Sequence, residues 1–136
     1  MIEIQIAYQG QLRCRAVHGP SGTALETDAP ADNMGKGEKF SPTDLVATAL
    51  GTCILTILGI QARKRGLDLG PAAATVRKEM TADPVRRIGR LSVTVRVPAD
   101  LPEEERRRLE AAAHTCPVGM SLHPDVQVAI DFRWGN

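Results

Sequence analysis

The residues of this chain with the most chemistry to offer are its three cysteines. Cys53 falls in the run LVATALGTCILTILGIQA and Cys116 in AAAHTCPVGM, and each continues an apolar row at helical spacing. Leu45, Ala49, Cys53 and Ile57 follow one another at i+4, and Leu109, Ala112, Ala113 and Cys116 fall at i, i+3, i+4 and i+7. A free cysteine on such a row is by default a packing residue, because the thiol behaves as a small apolar group. Two apolar rows that face one core bring their thiols toward each other. A thiol becomes a nucleophile when it also has a path to solvent and a cation that favours the thiolate. Arg13 and Arg15, on an early alternating segment, are the candidate cations. Cys14 alternates with Leu12 and Ala16, which predicts a buried strand position. His18, His114 and His123 are scattered and share no metal-ligand spacing, so neither a metal nor another cofactor is expected. Gly35 and Gly37 do not form a phosphate loop, since no strand leads into them and no Lys-Ser/Thr pair follows.

The elements that must position these thiols are legible from pattern. Ser41 is a good N-cap, Pro42 suits the first helical position, Asp44 three residues on completes a capping-box-like start, and Gly66 is a plausible stop. The helix between them has no charged residue from Leu45 to Ala62. Such a run of about 18 residues is near the lower limit for a membrane span. Thr48, Thr52, Thr56 and Gln61 make it too polar for that, and a helix buried between layers or subunits is expected instead. Ahead of it, Ile2, Ile4, Ile6 and Tyr8 alternate as a half-buried strand, Gln9-Gly10 turns, and Leu12 to Val17 and Thr23 to Thr27 give two more strands. Residues 28–40 have no period and are expected to be a loop. Beyond the helix come strands over Ala72 to Thr81 and Leu91 to Val97, a second helix over Pro102 to Thr115, and a closing strand carrying Val126, Val128, Ile130 and Phe132. The order is βββ-α-ββ-α-β, an α+β domain with segregated sheets.

The chain has 136 residues, a single domain by size, and a formal net charge of +1. That balance argues against a dedicated nucleic-acid binder. Aromatic residues are 3% of the chain, so the core must be aliphatic. An odd number of cysteines with no close pair fits individual thiols in a reducing compartment, and no leader pattern is seen, so a cytoplasmic location is expected. One partner helix, half of it charged, cannot cover a helix that is apolar all round. The sequence therefore points to a second subunit.

The motif SPTDLVATALGTC, followed later by HTCPVGMSL, resembles the OsmC/Ohr family (osmotically induced protein C and organic hydroperoxide resistance protein). The shared features are Pro42, Leu45, the small-residue stretch Ala49-Leu50-Gly51-Thr52 before Cys53, Cys116-Pro117, and the element order over essentially residues 1–136. The resemblance implies an intertwined homodimer with the two long helices at its centre. It further implies a peroxidase in which Cys53 becomes a sulfenic acid, Cys116 condenses with it to a disulfide, and a dithiol reductant, in many members a lipoyl group, reopens the bond. A hydrophobic hydroperoxide would suit the apolar surroundings. The better-known members carry Glu two places before the conserved Leu, where it orients the activating Arg. Thr43 stands there in this chain, with Asp44 beside it and Glu38 in the preceding loop. Arg13, then Arg15, is the nearest match to the activating Arg. Without that Glu, a thiol protein binding a small apolar or electrophilic ligand without efficient turnover is the second reading. A dimer in which the cysteines only pack is the third.

Overall fold

Alternation in the opening residues builds a hairpin. β1 (Ile4–Gly10) pairs antiparallel with β2 (Arg13–His18), which pairs antiparallel with β3 (Ala24–Asp28). The turn lies one step later than the sequence pattern indicates. β1 runs through Gly10, and Gln11 and Leu12 form the bend with φ of 54° and 62°. Positive φ at both central positions is the two-residue hairpin geometry that matches strand twist, so Leu12 belongs to the turn and not to β2. The computed structural model describes residues 1–135. It divides into two compact units, one ending at Val46 and one beginning at Ala47.

In the first unit the sheet order is β1-β2-β3. Ile4, Ile6 and Tyr8, expected to be half-buried, are 57%, 69% and 66% exposed. After β3 the chain makes one 3-10 turn at Ala31–Asn33 and reaches α1 (Pro42–Lys64) through an otherwise irregular segment.

In the second unit β4 (Ala73–Thr81) pairs antiparallel with β5 (Arg87–Val97). β6 (Gln127–Trp134) returns parallel to β5 on its other side, giving the order β4-β5-β6. A parallel return requires a crossover. It is made by α2 (Glu103–Ala113) and a short α3 (Pro117–Ser121). The architecture is thus α+β with two segregated three-stranded sheets, as the pattern predicts. Leu91, Val93, Val95 and Val97 of the central strand, Leu109 and Ala113 of α2, and Ala47, Leu50, Ile54, Leu58 and Ala62 of α1 form an aliphatic core. Gly51 lets α1 approach the sheet, since a Cβ there would lie 2.8 Å from Val76 Cγ2. The opposite side of α1, with Thr48, Thr52, Thr56 and Ile60, is exposed in the single chain. By length and apolarity the helix could cross a bilayer, with a mean hydropathy of 1.9 over its most apolar window. Its buried row on a sheet is nevertheless that of a core helix.

Candidate functional site

α1 is held at both ends by the devices its sequence announces. The Ser41 amide donates to Asp44 Oδ2 at 2.9 Å, and the Asp44 amide donates to Ser41 Oγ at 3.1 Å. This reciprocal pair satisfies two orphan amides of the first turn. At the other end Gly66 has φ 66°, the Leu67 amide bonds Ala62 O at 2.8 Å, and the Gly66 amide bonds Arg63 O at 3.3 Å. That is a Schellman stop. Arg65 then pairs with Glu105 of α2 through both carboxylate oxygens, its Nη2 standing 2.8 Å from Oε1. The pair holds the Glu105 carboxyl below its ordinary range.

Cys53 sits on α1 beside the buried row and not on it, and the residue is half-exposed, like Leu45, Ala49 and Ile57 on the same side. Cys116 is not on the second helix. α2 ends at Ala113, and Cys116 has φ −62° and ψ 143°, an extended conformation. The ring of Pro117 disfavours the helical region for the residue before it, which is why the i+7 position of the apolar row leaves the helix. Cys116 is instead the N-cap of α3, where its Sγ accepts the Gly119 amide at 3.3 Å. It is 1% exposed. The Cys53 and Cys116 side chains are near enough to interact electrostatically. Burial pushes the Cys116 thiol up, the Gly119 amide opposes this, and the neighbouring Cys53 adds to the rise. Because the neutral thiol is the form the fold prefers, alkylation of Cys116 by iodoacetamide in the native protein should need a higher pH than that of a free thiol. Cys53 and Cys116 labelling at equal rates near neutral pH would contradict this.

In the first unit Arg13 of β2 donates from Nη2 to Glu38 Oε2 at 2.7 Å and lies 3.6 Å from Asp28 Oδ2. Asp28, at the end of β3, is 1% exposed, and its Oδ2 also accepts the Glu38 amide at 3.1 Å. The loop acid Glu38 expected near the arginine is therefore present. Asp28 beneath it is not foreseeable from the pattern, because a final acid on a short polar strand looks like the start of the loop. Its Oδ1 is buried without a hydrogen-bond partner among the described residues. Asp44, the other acid considered for that place, serves the helix cap. Arg15 is exposed, and Cys14, expected to be buried, is half-exposed between Tyr8 and Thr27 on the neighbouring strands. Among the described residues no three His, Cys, Asp or Glu side chains gather as metal ligands would.

The family model for OsmC-like proteins matches residues 35–131, a span that holds both Cys53 and Cys116. The chain belongs to the OsmC-like family. No curated protein matches it. Among solved structures it is similar to an osmotic stress induced and detoxification response protein of Psychrobacter arcticus, with 42% identity, 97% of this chain and 96% of that one covered, and a TM-score of 0.91. The OsmC-like fold recurs at 18% identity in an organic hydroperoxide resistance protein of Legionella pneumophila, with 98% and 96% covered and a TM-score of 0.79. It recurs at the same identity in an organic hydroperoxide resistance protein of Bacillus subtilis, with 98% of each chain covered and a TM-score of 0.67.

Proposed function

We propose that this OsmC-like protein is a thiol peroxidase that reduces organic hydroperoxides. The observation that carries the reading is a half-exposed cysteine, Cys53, near enough to a buried one, Cys116, for the two side chains to interact. The Cys53 thiolate attacks the terminal peroxide oxygen, the O–O bond breaks, and the alcohol leaves with a proton. Cys53 is then a sulfenic acid. The Cys116 thiol attacks its sulfur, water leaves, and a disulfide remains. A dithiol reductant, such as a dihydrolipoyl group, returns both sulfurs to thiols and leaves as its own cyclic disulfide. Arg13 is the proposed cation that favours the Cys53 thiolate, with Arg15 second, a choice that rests on the family resemblance. Leu45, Ala49 and Ile57, half-buried on the Cys53 side of α1, suit a substrate with an apolar body. The test is a thiol count. One equivalent of cumene hydroperoxide should remove two of the chain's three thiols, those of Cys53 and Cys116, and leave Cys14 free. Three thiols still reduced after treatment would sink the peroxidase.

The same reading includes a homodimer. The uncovered Ile4, Ile6 and Tyr8, with Ile60 on the uncovered side of α1, are apolar surface of the kind an obligate partner buries, and an interface above roughly 2,000 Å² is expected. Sedimentation equilibrium at micromolar concentration should give the dimer mass, and a monomer mass there would refute it.

A further inference from the structure

We propose that Gly119 is a positioning residue for the closing of the disulfide: its backbone amide holds the Cys116 sulfur and favours the thiolate that attacks the Cys53 sulfenic acid. That step belongs to the peroxidase reading, on which the proposal rests; the hold of Gly119 on the sulfur does not depend on it. Burial sets the difficulty. Cys116 is 1% exposed. A buried thiol stays neutral, whereas the thiolate is the nucleophile. A fixed donor aimed at the sulfur offsets this without exposing it to water. Gly119 supplies one: its N–H donates to Cys116 Sγ at 3.3 Å. The Gly119 and Val118 amides both favour the charged form, against burial and against Cys53, the titratable group that acts on Cys116 from α1. Residue 119 also matters by what it lacks. A Cβ there would stand 3.3 Å from Sγ and 3.7 Å from Leu50 Cδ1, so the sulfur would have to give by a few tenths of an ångström. Gly119 is not at positive φ, so the demand for glycine comes from the sulfur and not from the backbone.

In the step itself the Cys116 thiolate gives an electron pair to the Cys53 sulfur and the S–O bond breaks. The departing hydroxide takes up the proton that Cys116 released, so one disulfide and one water result. Losing the amide would have two opposed effects on the rate. When the titration of Cys116 rises by about one pH unit, the thiolate population below it falls about tenfold. The more basic thiolate is the better nucleophile, by about threefold on a Brønsted slope of about 0.4–0.5. Population wins, and condensation at neutral pH should slow about threefold. A role in folding alone would lower the melting temperature and leave the titration where it is.

Cys116 is itself a ligation point, so residues 1–115 as a thioester can be joined to a synthetic 116–136 peptide carrying carbon-13 at the Cys116 Cβ. In the test chain glycolic acid replaces Gly119, which exchanges this one N–H for an oxygen and adds no side chain. A chain ligated with glycine is the control. In a Cys53→Ser background the Cβ shift is followed through rapid pH jumps, and the ester should move the midpoint up by about one unit. With Cys53 present, the cumene hydroperoxide concentration that carries half of it to sulfinic acid should fall about threefold, because the sulfenic acid waits longer for its partner. Gly119→Ala keeps the N–H and presses on the sulfur. It should move both readings in the same direction, and it decides the matter if the ester chain does not refold. An unmoved midpoint overturns the proposal and leaves the peroxidase reading intact. A raised midpoint with an unchanged sulfinic-acid threshold overturns the role in disulfide closure. A glycine control whose Cys53 stays reduced under cumene hydroperoxide overturns the peroxidase reading and the resolving role with it, and the midpoint then decides the hold on the sulfur alone.

Discussion

Serine at position 53 is expected to reduce hydroperoxide consumption, assayed with dihydrolipoamide as the reductant, to the uncatalysed background. A hydroxyl cannot be oxidised to the sulfenic-acid level and carries no thiolate at neutral pH, so the first step has no nucleophile. The change is nearly isosteric on a half-exposed helix surface, so the fold should be retained with an unchanged melting temperature. Cys116→Ser should behave differently. It keeps the nucleophile, so one equivalent of hydroperoxide is consumed at the normal rate. The sulfenic acid then has no resolving partner, and further peroxide should carry Cys53 to sulfinic acid, visible by mass. Cys14→Ser should leave turnover unchanged. Retention of turnover in the Cys53 variant would place the chemistry elsewhere.

The second large effect is on stability. Leu58 is 0% exposed in the α1 row that continues through Leu50, Ile54 and Ala62. Leu58→Ala removes its side chain from a close-packed aliphatic core, and such deletions cost about 2–5 kcal/mol because the surrounding structure only partly collapses. Urea denaturation should show a lowered midpoint with an unchanged slope, the midpoint shift multiplied by the slope giving that free energy. By contrast, breaking the exposed Arg107–Glu103 pair on α2, 2.8 Å apart, should move stability by no more than about 0.5 kcal/mol, since solvent and salt screen it. A Leu58→Ala protein as stable as wild type would mean that α1 does not carry the core.

Ser41, Asp44 and Gly66 are legible in the sequence because capping is a local matter, settled by side chains within four residues of the backbone groups they satisfy. The alternation of Leu91, Val93, Val95 and Val97 is legible for the same reason, and it marks the central strand of a sheet. Cys116 is a harder case. Its place in the apolar row points to a helix, but Pro117 forces the preceding residue into an extended conformation, and a five-residue helix such as α3 is too short to show a period. Nothing in the pattern shows that β6 runs parallel to β5, because alternation is identical in either direction. The exposure of Ile4, Ile6 and Tyr8 is hidden for a different reason: alternation reports that a face is apolar, not which molecule covers it. Asp28 is hidden because its burial depends on the loop residues Glu38 and Phe40 folding back on β3, where the Asp28 amide meets Phe40 O at 3.0 Å. Two apolar rows suffice to suggest the thiol pair, but the asymmetry between the half-exposed Cys53 and the buried Cys116 requires coordinates.

The parallel return of β6 also bears on how the chain folds as it is synthesised. β5 lies at the centre of its sheet, yet one of its two neighbours is made only after α2 and α3 have been translated. Until Gln127–Trp134 exists, the row Leu91, Val93, Val95 and Val97 has an unpaired backbone edge. Hairpin pairing of β4 with β5 can proceed on the ribosome, whereas closure of the sheet waits for a non-local contact, the kind that slows folding and leaves strand edges open to other chains. Trp134, whose indole donates to Glu110 Oε1 at 2.7 Å, locks the late strand to α2 once it arrives. A nascent chain stalled before Gln127 should therefore be held by chaperones, and release of chaperone should coincide with translation of β6.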